Sequence, residues 1–238
     1  MRHLFFVVFF IFNLYCFSQN NVKFDIDYSF KLNEDFIKSK SKEIKKNSGN
    51  NLADSYMSKF FKDLKVLTKD SISIYRLEYE NGKYNFSYID RMTITGEDSP
   101  LLEKADYYGD NNTQKLIGFH NHRGNNLKVR HEIKKWELHN EYVNILGFKC
   151  QKAIYIFEYE DKSFKATAWF TKELPPTSLF QYLGLPGTIL KLEKSFEIYT
   201  AKSIKFSKTK LKLIDINNIE NVITEDEFHK MLFKKYSR

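Results

Sequence analysis

The sequence predicts a β-rich α+β fold: a single antiparallel, curved sheet with one amphipathic helix packed on it and a short C-terminal helix. Three patterns lead to this fold class. Alternating apolar residues indicate strands, one helical spacing of apolar residues indicates a helix, and short turn-forming stretches separate the remaining strands. A chain of 238 residues is long enough to bury one sizeable core, so we expect one domain.

The first strand is predicted at residues 22 to 32. Every second side chain there is apolar: Val22, Phe24, Ile26, Tyr28, Phe30 and Leu32. Polar residues fill the positions between, which is the pattern of a half-buried strand. The lysine-rich stretch 38–46 that follows predicts a solvated connection, and peripheral contact with an anionic membrane surface is the alternative.

The predicted amphipathic helix spans residues 52 to 64. Its apolar side chains recur at helical spacing: Leu52, Ala53, Tyr56, Met57, Phe60, Phe61 and Leu64. A stripe of this kind gains most of its stability from burial, so we expect the helix to lie on the sheet.

Further strands and a closing helix are predicted downstream. A hairpin is expected to turn at Asn81-Gly82-Lys83, and a meander of short antiparallel strands is expected between residues 92 and 130. Near the end of the chain, Thr224 and Glu227 have the spacing of a capping box, which predicts the start of a short helix.

The N-terminus has the features of a secretory signal peptide over residues 1–18. A positive end precedes a short apolar run that is too short to span a bilayer comfortably. The domain would then cover residues 19–238, with 206–238 as a C-terminal strand and helix extension. Acylation of Cys16 is the alternative, although bulky Tyr15 stands where a lipobox has a small residue. We expect export to the periplasm, the outer membrane or the exterior.

The net charge of +8 does not indicate a nucleic-acid partner. Only six of the 38 basic residues are arginine, the residue that reads phosphate and guanine with a bidentate fork. The class of nucleic-acid-binding proteins is therefore not expected.

The sequence contains no recognised catalytic, metal or cofactor motif, so we expect no cofactor and no enzyme activity. Removal of the signal peptide leaves Cys150 without a disulfide partner. Cys150 could be a buried structural residue or a thiol nucleophile with His139 or His131 as its base, and a hydrolase or thiol enzyme is the alternative function. His120 and His122 could share one face of a strand, but a metal site would need further ligands.

Four segments between residues 136 and 204 carry a family resemblance. They are Trp136-Glu137-Leu138, Ile145 to Ala153, Ala168 to Pro175, and Gly184-Leu185-Pro186-Gly187-Thr188-Ile189-Leu190. The chain resembles the GLPGLI family of secreted bacterial envelope proteins, with Thr188 where that family has an apolar residue. The resemblance implies export and a compartment, and it implies no particular reaction.

The GLPG residues predict a type II turn, with Gly187 taking the positive φ. This turn would be a structural corner, or it would shape the rim of a binding groove. The candidate binding or motif residues are Trp169, Phe180, Tyr182, Gly184, Leu185, Pro186 and Gly187. We expect a non-catalytic envelope protein that binds an apolar small molecule, a peptide or a membrane-protein partner.

Overall fold

The structure is a computed structural model. It describes residues 22–35, 38–39, 42, 73–89, 105–122, 124–159, 162–195, 197–207, 211 and 213–233. The predicted signal peptide (1–18), the predicted helix (52–64) and most of the lysine-rich stretch lie outside the described residues, so these predictions stay predictions. Of the stretch 38–46 the structure describes Lys38, Ser39 and Lys42, which are helical.

The described residues are mostly β. The strands are β1 (Lys23–Leu32), β2 (Ser73–Glu80), β3 (Lys83–Tyr88), β4 (Asp106–Asp110), β5 (Lys115–His122), β6 (Asn125–Arg130), β7 (Glu137–Ile145), β8 (Phe148–Tyr159), β9 (Lys162–Thr171), β10 (Thr188–Lys194), β11 (Glu197–Phe206) and β12 (Val222–Thr224). A 3₁₀ turn at Ile216–Asn218 precedes β12, and helix α1 (Glu225–Phe233) follows it.

All twelve strands belong to one sheet, in the order β12-β6-β5-β4-β3-β2-β1-β11-β10-β9-β8-β7. Strand β1 is the seam between two meanders, β2 to β6 on one side and β7 to β11 on the other. The prediction of a wholly antiparallel sheet is wrong, because β12 pairs parallel to β6. Strand β12 has only three residues, which is too short for a periodic pattern. The sequence therefore gives no signal from which this pairing could have been predicted.

The sheet curls so that its two ends lie close together. Strands β6 and β7 stand near opposite ends of the strand order, yet only residues 131–136 connect them. Six residues span at most about 20 Å, much less than the width of a flat sheet of this size. The curl stops short of closure, so β7 and β12 remain as edges.

The inner face of the curl is packed by residues 172–187, here called the plug segment. Its apolar side chains are almost completely buried: Leu174, Leu179, Phe180, Tyr182, Leu183 and Leu185. The Phe180 ring contacts four aromatic rings on four strands, with centroid separations from 4.7 to 5.9 Å: Tyr75, Phe86, Tyr107 and Tyr199. Pairs in such tilted arrangements each contribute about 0.5 to 1.5 kcal/mol beyond burial.

The predicted α+β arrangement of an amphipathic helix packed on the sheet is therefore wrong for the described residues. The plug segment packs on the buried part of the inner face, and among the described residues the only α-helix whose bounds the structure defines is the C-terminal α1. The plug segment contains two consecutive prolines and no helical spacing, so its apolar residues predict a connection rather than a packing layer.

Several local predictions are confirmed. The first strand begins and ends within a residue of its predicted bounds. The first hairpin turns at Asn81 and Gly82, which have φ angles of +50° and +84° and so match the type I′ preference of an Asn-Gly pair. At the start of α1, the Thr224 amide donates to Glu227 Oε2 at 2.7 Å and the Glu227 amide donates to Thr224 Oγ1 at 3.2 Å. This reciprocal pair is the predicted capping box.

Candidate functional site: an aromatic groove beside the plug segment

An open groove lies on the inner face of the sheet where the plug segment ends, between the β8–β9 hairpin and α1. We call it the aromatic groove; its floor consists of Tyr155, Phe157, Phe164 and Tyr182. Its volume of about 460 Å³ falls within the range of small-molecule and peptide sites.

The floor follows from strand alternation. Tyr155 and Phe157 share the inner face of β8, and their partners on β9 are Ala166 and Phe164. The rings form a continuous stack: Tyr155 and Phe157 are 5.6 Å apart at 17°, and Phe157 and Phe164 are 5.0 Å apart at 16°. All three rings of this stack are half-buried, so apolar surface remains accessible in the groove.

Trp136 packs at the inner end of the aromatic groove. Its ring lies 5.7 Å from Tyr155 and 6.1 Å from Tyr182, and its indole Nε1 donates to the Leu183 carbonyl at 3.2 Å. The groove is therefore joined directly to the plug segment through one tryptophan.

One wall of the aromatic groove is the first turn of α1, which an ion pair holds in place. Lys134 Nζ donates to both carboxylate oxygens of Glu225, at 2.6 and 2.7 Å, and His131 Nδ1 lies 3.6 Å from Glu225 Oε1. Burial alone would raise the pKa of Glu225, but the nearby His131 and the hydrogen-bonded Lys134 outweigh it and lower that pKa to about 2. Glu225 is therefore ionised at neutral pH and fixes α1 against the segment that joins β6 to β7.

The rim of the aromatic groove is acidic. Glu132, Glu158 and Asp226 line it together with Glu225. Asp226 pairs with Lys230 at 2.6 Å, whereas Glu132 and Glu158 are exposed and form no ion pair within the described ranges. Two carboxylates thus remain available to a ligand at an open aromatic floor.

The predicted aromatic binding residues do not form one groove. Phe180 is completely buried as the centre of the plug segment, and Tyr182 is 4% exposed. Trp169 pairs with Lys152 and Lys191, so it lies on the outer face of the sheet. Of these three, only Tyr182 reaches the aromatic groove.

The chain turns a corner at the GLPG residues, but the predicted turn geometry is wrong. Gly184 has the positive φ, +112°, and Gly187 does not. A Cβ on Gly187 would lie 2.0 Å from the Thr171 carbonyl oxygen, so glycine is required there for close approach of two backbones. Thr188 Oγ1 donates to the Pro175 carbonyl at 2.6 Å and ties the two ends of the plug segment together.

A second, smaller cavity of about 290 Å³ borders the same corner. Its lining includes Gly184, Leu185 and Pro186, together with Tyr84 from β3. Burial raises the pKa of Tyr84 to about 12, and its hydroxyl is 3.1 Å from Ser178 Oγ. This contact attaches the plug segment to the meander of β2 to β6. Tyr84 therefore has a structural role, and its burial accounts for its raised pKa.

Cys150 is buried, and burial raises the pKa of its thiol to about 11. A thiol with this pKa is protonated at neutral pH, which is the opposite of what a nucleophile needs. His120 and His131 lie near each other, with ring centroids 5.7 Å apart, and no group of three or more potential metal ligands occurs in the part of the chain that the structure describes.

Sequence reasoning missed the aromatic groove because β8 is apolar on both faces. Ile154 and Ile156 alternate with Tyr155 and Phe157, so the pattern did not distinguish an inner face from an outer one. The available signal was the clustering of aromatic residues close to the turn between β8 and β9.

Together these features define a mostly β domain with one curled, open sheet, a buried plug and an aromatic groove. Among the described residues, no helix has the length and apolar character required to cross a bilayer. No protein-family model and no curated protein matches the chain.

Solved structures of PNGF-II in two crystal forms are similar to this chain. One is 14% identical with a TM-score of 0.50, and the other is 15% identical with a TM-score of 0.45. Each match covers 90% of this chain and 33% of the PNGF-II chain. This chain thus spans about a third of the length of the protein it matches, and the likeness concerns the fold alone.

Proposed function

We propose that this chain is an exported, GLPGLI-type envelope domain that binds a peptide segment of a partner protein in the aromatic groove and performs no catalysis. The observation that carries the proposal is the half-buried stack of Tyr155, Phe157 and Phe164 beside a buried plug. Accessible aromatic surface in a concave site is typical of ligand and peptide sites. The N-terminal apolar run and the GLPG motif support export.

The surroundings of the groove favour binding over chemistry. Among the described residues its lining contains no cysteine or serine, and the free thiol of Cys150 is buried elsewhere with a raised pKa. A wall fixed by the Glu225–Lys134 ion pair and a floor anchored through Trp136 provide a preorganised surface, which reduces the entropic cost of binding.

Selection from a library of short random peptides displayed on phage tests the proposal. The protein should enrich apolar-rich peptides, and Phe157→Ser should abolish that enrichment because it removes the middle ring of the stack. Ile156→Ser is the matched control, since Ile156 is the neighbouring residue on the outer face of β8 and is 56% exposed. Equal enrichment by the wild type and Phe157→Ser would refute binding in the groove.

A further inference from the structure

The charge of the aromatic groove differs in sign from that of the whole chain. The chain has 38 basic and 30 acidic residues, yet the lining of the groove has four carboxylates and one lysine. Lys134 is neutralised by Glu225, and Asp226 is neutralised by Lys230. Glu132 and Glu158 therefore leave a local excess of negative charge over an aromatic floor.

Aromatic rings in this part of the sheet already contact cations. Aromatic faces attract ammonium and guanidinium groups within about 6 Å of the ring centroid. The chain itself uses this contact at the groove, where Lys134 Nζ lies 5.9 Å from the Tyr155 centroid. It uses the same contact in the plugged region, where Lys194 Nζ lies 4.3 Å from the Phe180 centroid. The Phe157 and Phe164 rings have no such lysine among the described residues.

Other ligand charges fit the groove less well. A neutral apolar ligand would cover the floor but would reduce the hydration of Glu132 and Glu158 without replacing it. An anionic ligand would meet the same carboxylates with like charge. A ligand with both apolar and cationic groups satisfies the floor and the rim together.

We infer that the occupant of the aromatic groove is a basic peptide segment that places a lysine or arginine side chain between Glu132 and Glu158, at the edge of the aromatic floor. This inference rests on the proposed function and specifies the charge of its ligand. Apolar side chains next to the basic residue cover the rest of the floor.

Fluorescence of Trp136 provides a binding signal. Trp136 touches Tyr155 and Tyr182, whereas Trp169 is on the outer face, so Trp169→Phe leaves one tryptophan as a reporter of the groove. The probes are three blocked peptides of equal length that alternate leucine with lysine, norleucine or glutamate. The lysine peptide should bind at least about tenfold more tightly than the norleucine peptide, and the glutamate peptide should bind most weakly.

Variants that remove the rim charges distinguish the contribution of the acidic rim to binding from that of the aromatic floor. The double variant Glu132→Gln and Glu158→Gln should weaken binding of the lysine peptide about tenfold, whereas the norleucine peptide should bind at least as tightly as it does to the wild type. Glu220→Gln is the matched control, because Glu220 is also exposed, forms no ion pair within the described ranges and does not line the groove. Raising salt from about 0.05 M to about 0.5 M should weaken only the lysine peptide.

The outcomes distinguish the two proposals. Equal binding of the lysine and norleucine peptides, or tighter binding of the glutamate peptide, would overturn the cationic ligand and leave groove binding intact. If Phe157→Ser bound all three peptides as well as the wild type does, the proposed function itself would fail. Circular dichroism of each variant verifies that the fold is retained.

Discussion

Two regions of the inner face both contain inward-pointing aromatic residues, but these are completely buried in one region and only half-buried in the other. Under the plug segment, Tyr75, Phe86 and Tyr107 point inward and are completely buried against Phe180. At the β8–β9 hairpin, Tyr155 and Phe157 also point inward, but they stay half-buried. The strands place aromatic rings inside in both regions, and the reach of the plug segment decides which rings become core and which remain available for binding.

The largest expected effect comes from removing the plug ring. Phe180→Ala should lower the free energy of unfolding by about 3 to 5 kcal/mol, because it empties a site that four aromatic rings surround. Phe157→Ala should cost about 1 kcal/mol, since this ring is only half-buried. Urea unfolding followed by circular dichroism measures both values.

Phe180→Leu covers the case in which Phe180→Ala does not fold, because it keeps most of the apolar volume and should cost about half as much. Equal costs for the Phe180 and Phe157 substitutions would remove the distinction between a plugged and an open region.

The corner of the plug segment should be the next most sensitive point. Gly187→Ala places a Cβ 2.0 Å from the Thr171 carbonyl oxygen, so the backbone must shift, at a cost of about 3 kcal/mol. Gly147→Ala is the control: Gly147 has a φ of +88° and open space around it, so only backbone strain of about 1 kcal/mol is expected. Thermal unfolding compares the two, and a smaller loss for Gly187→Ala than for Gly147→Ala would argue against close approach.

The wall of the aromatic groove should depend on pH. The lowered pKa of Glu225, about 2, means that its contribution to stability is fully present above the ordinary glutamate value near 4.5 and is lost as the pH falls toward 2. Glu225→Gln should therefore destabilise the protein by about 1 to 3 kcal/mol at pH 7 and by much less near pH 2. Urea unfolding at both pH values checks this, and a difference that does not change with pH would contradict the role of the ionised carboxylate.

The last prediction concerns the reactivity of the Cys150 thiol, which reports on the core away from the aromatic groove. Cys150 should resist iodoacetamide in the native protein and react only after unfolding, because it is buried and its pKa is raised to about 11. Ser163→Cys provides an exposed comparison on β9. Peptide mass spectrometry assigns the label, and similar native rates at the two positions would contradict the burial of Cys150.

The parts of the fold that sequence could predict are those with local signals. Alternation in β1, the Asn81-Gly82 turn and the Thr224-Glu227 capping box each depend on residues that are close in sequence. The plug segment and the β12–β6 pairing depend on contacts between residues far apart in the chain, and neither has a periodic pattern.

The candidate site was predictable only in part. Tyr182 is a predicted binding residue because it lies close to the GLPG motif in the sequence, and it lines the aromatic groove in the structure. Phe180 was identified with it but is core, because a turn with φ +53° at Phe180 directs that ring into the sheet. Tyr155, Phe157 and Phe164 required knowledge of which face of β8 and β9 is the inner one.

Hydroxyl-radical footprinting with mass spectrometry tests most directly the division of the inner face into a plugged and an open region. In the native protein, Tyr155, Phe157 and Phe164 should be oxidised many-fold faster than Phe180, Tyr75 and Tyr199, which have no exposed surface. Equal protection of both sets of rings would show that the aromatic groove is closed and would contradict the account.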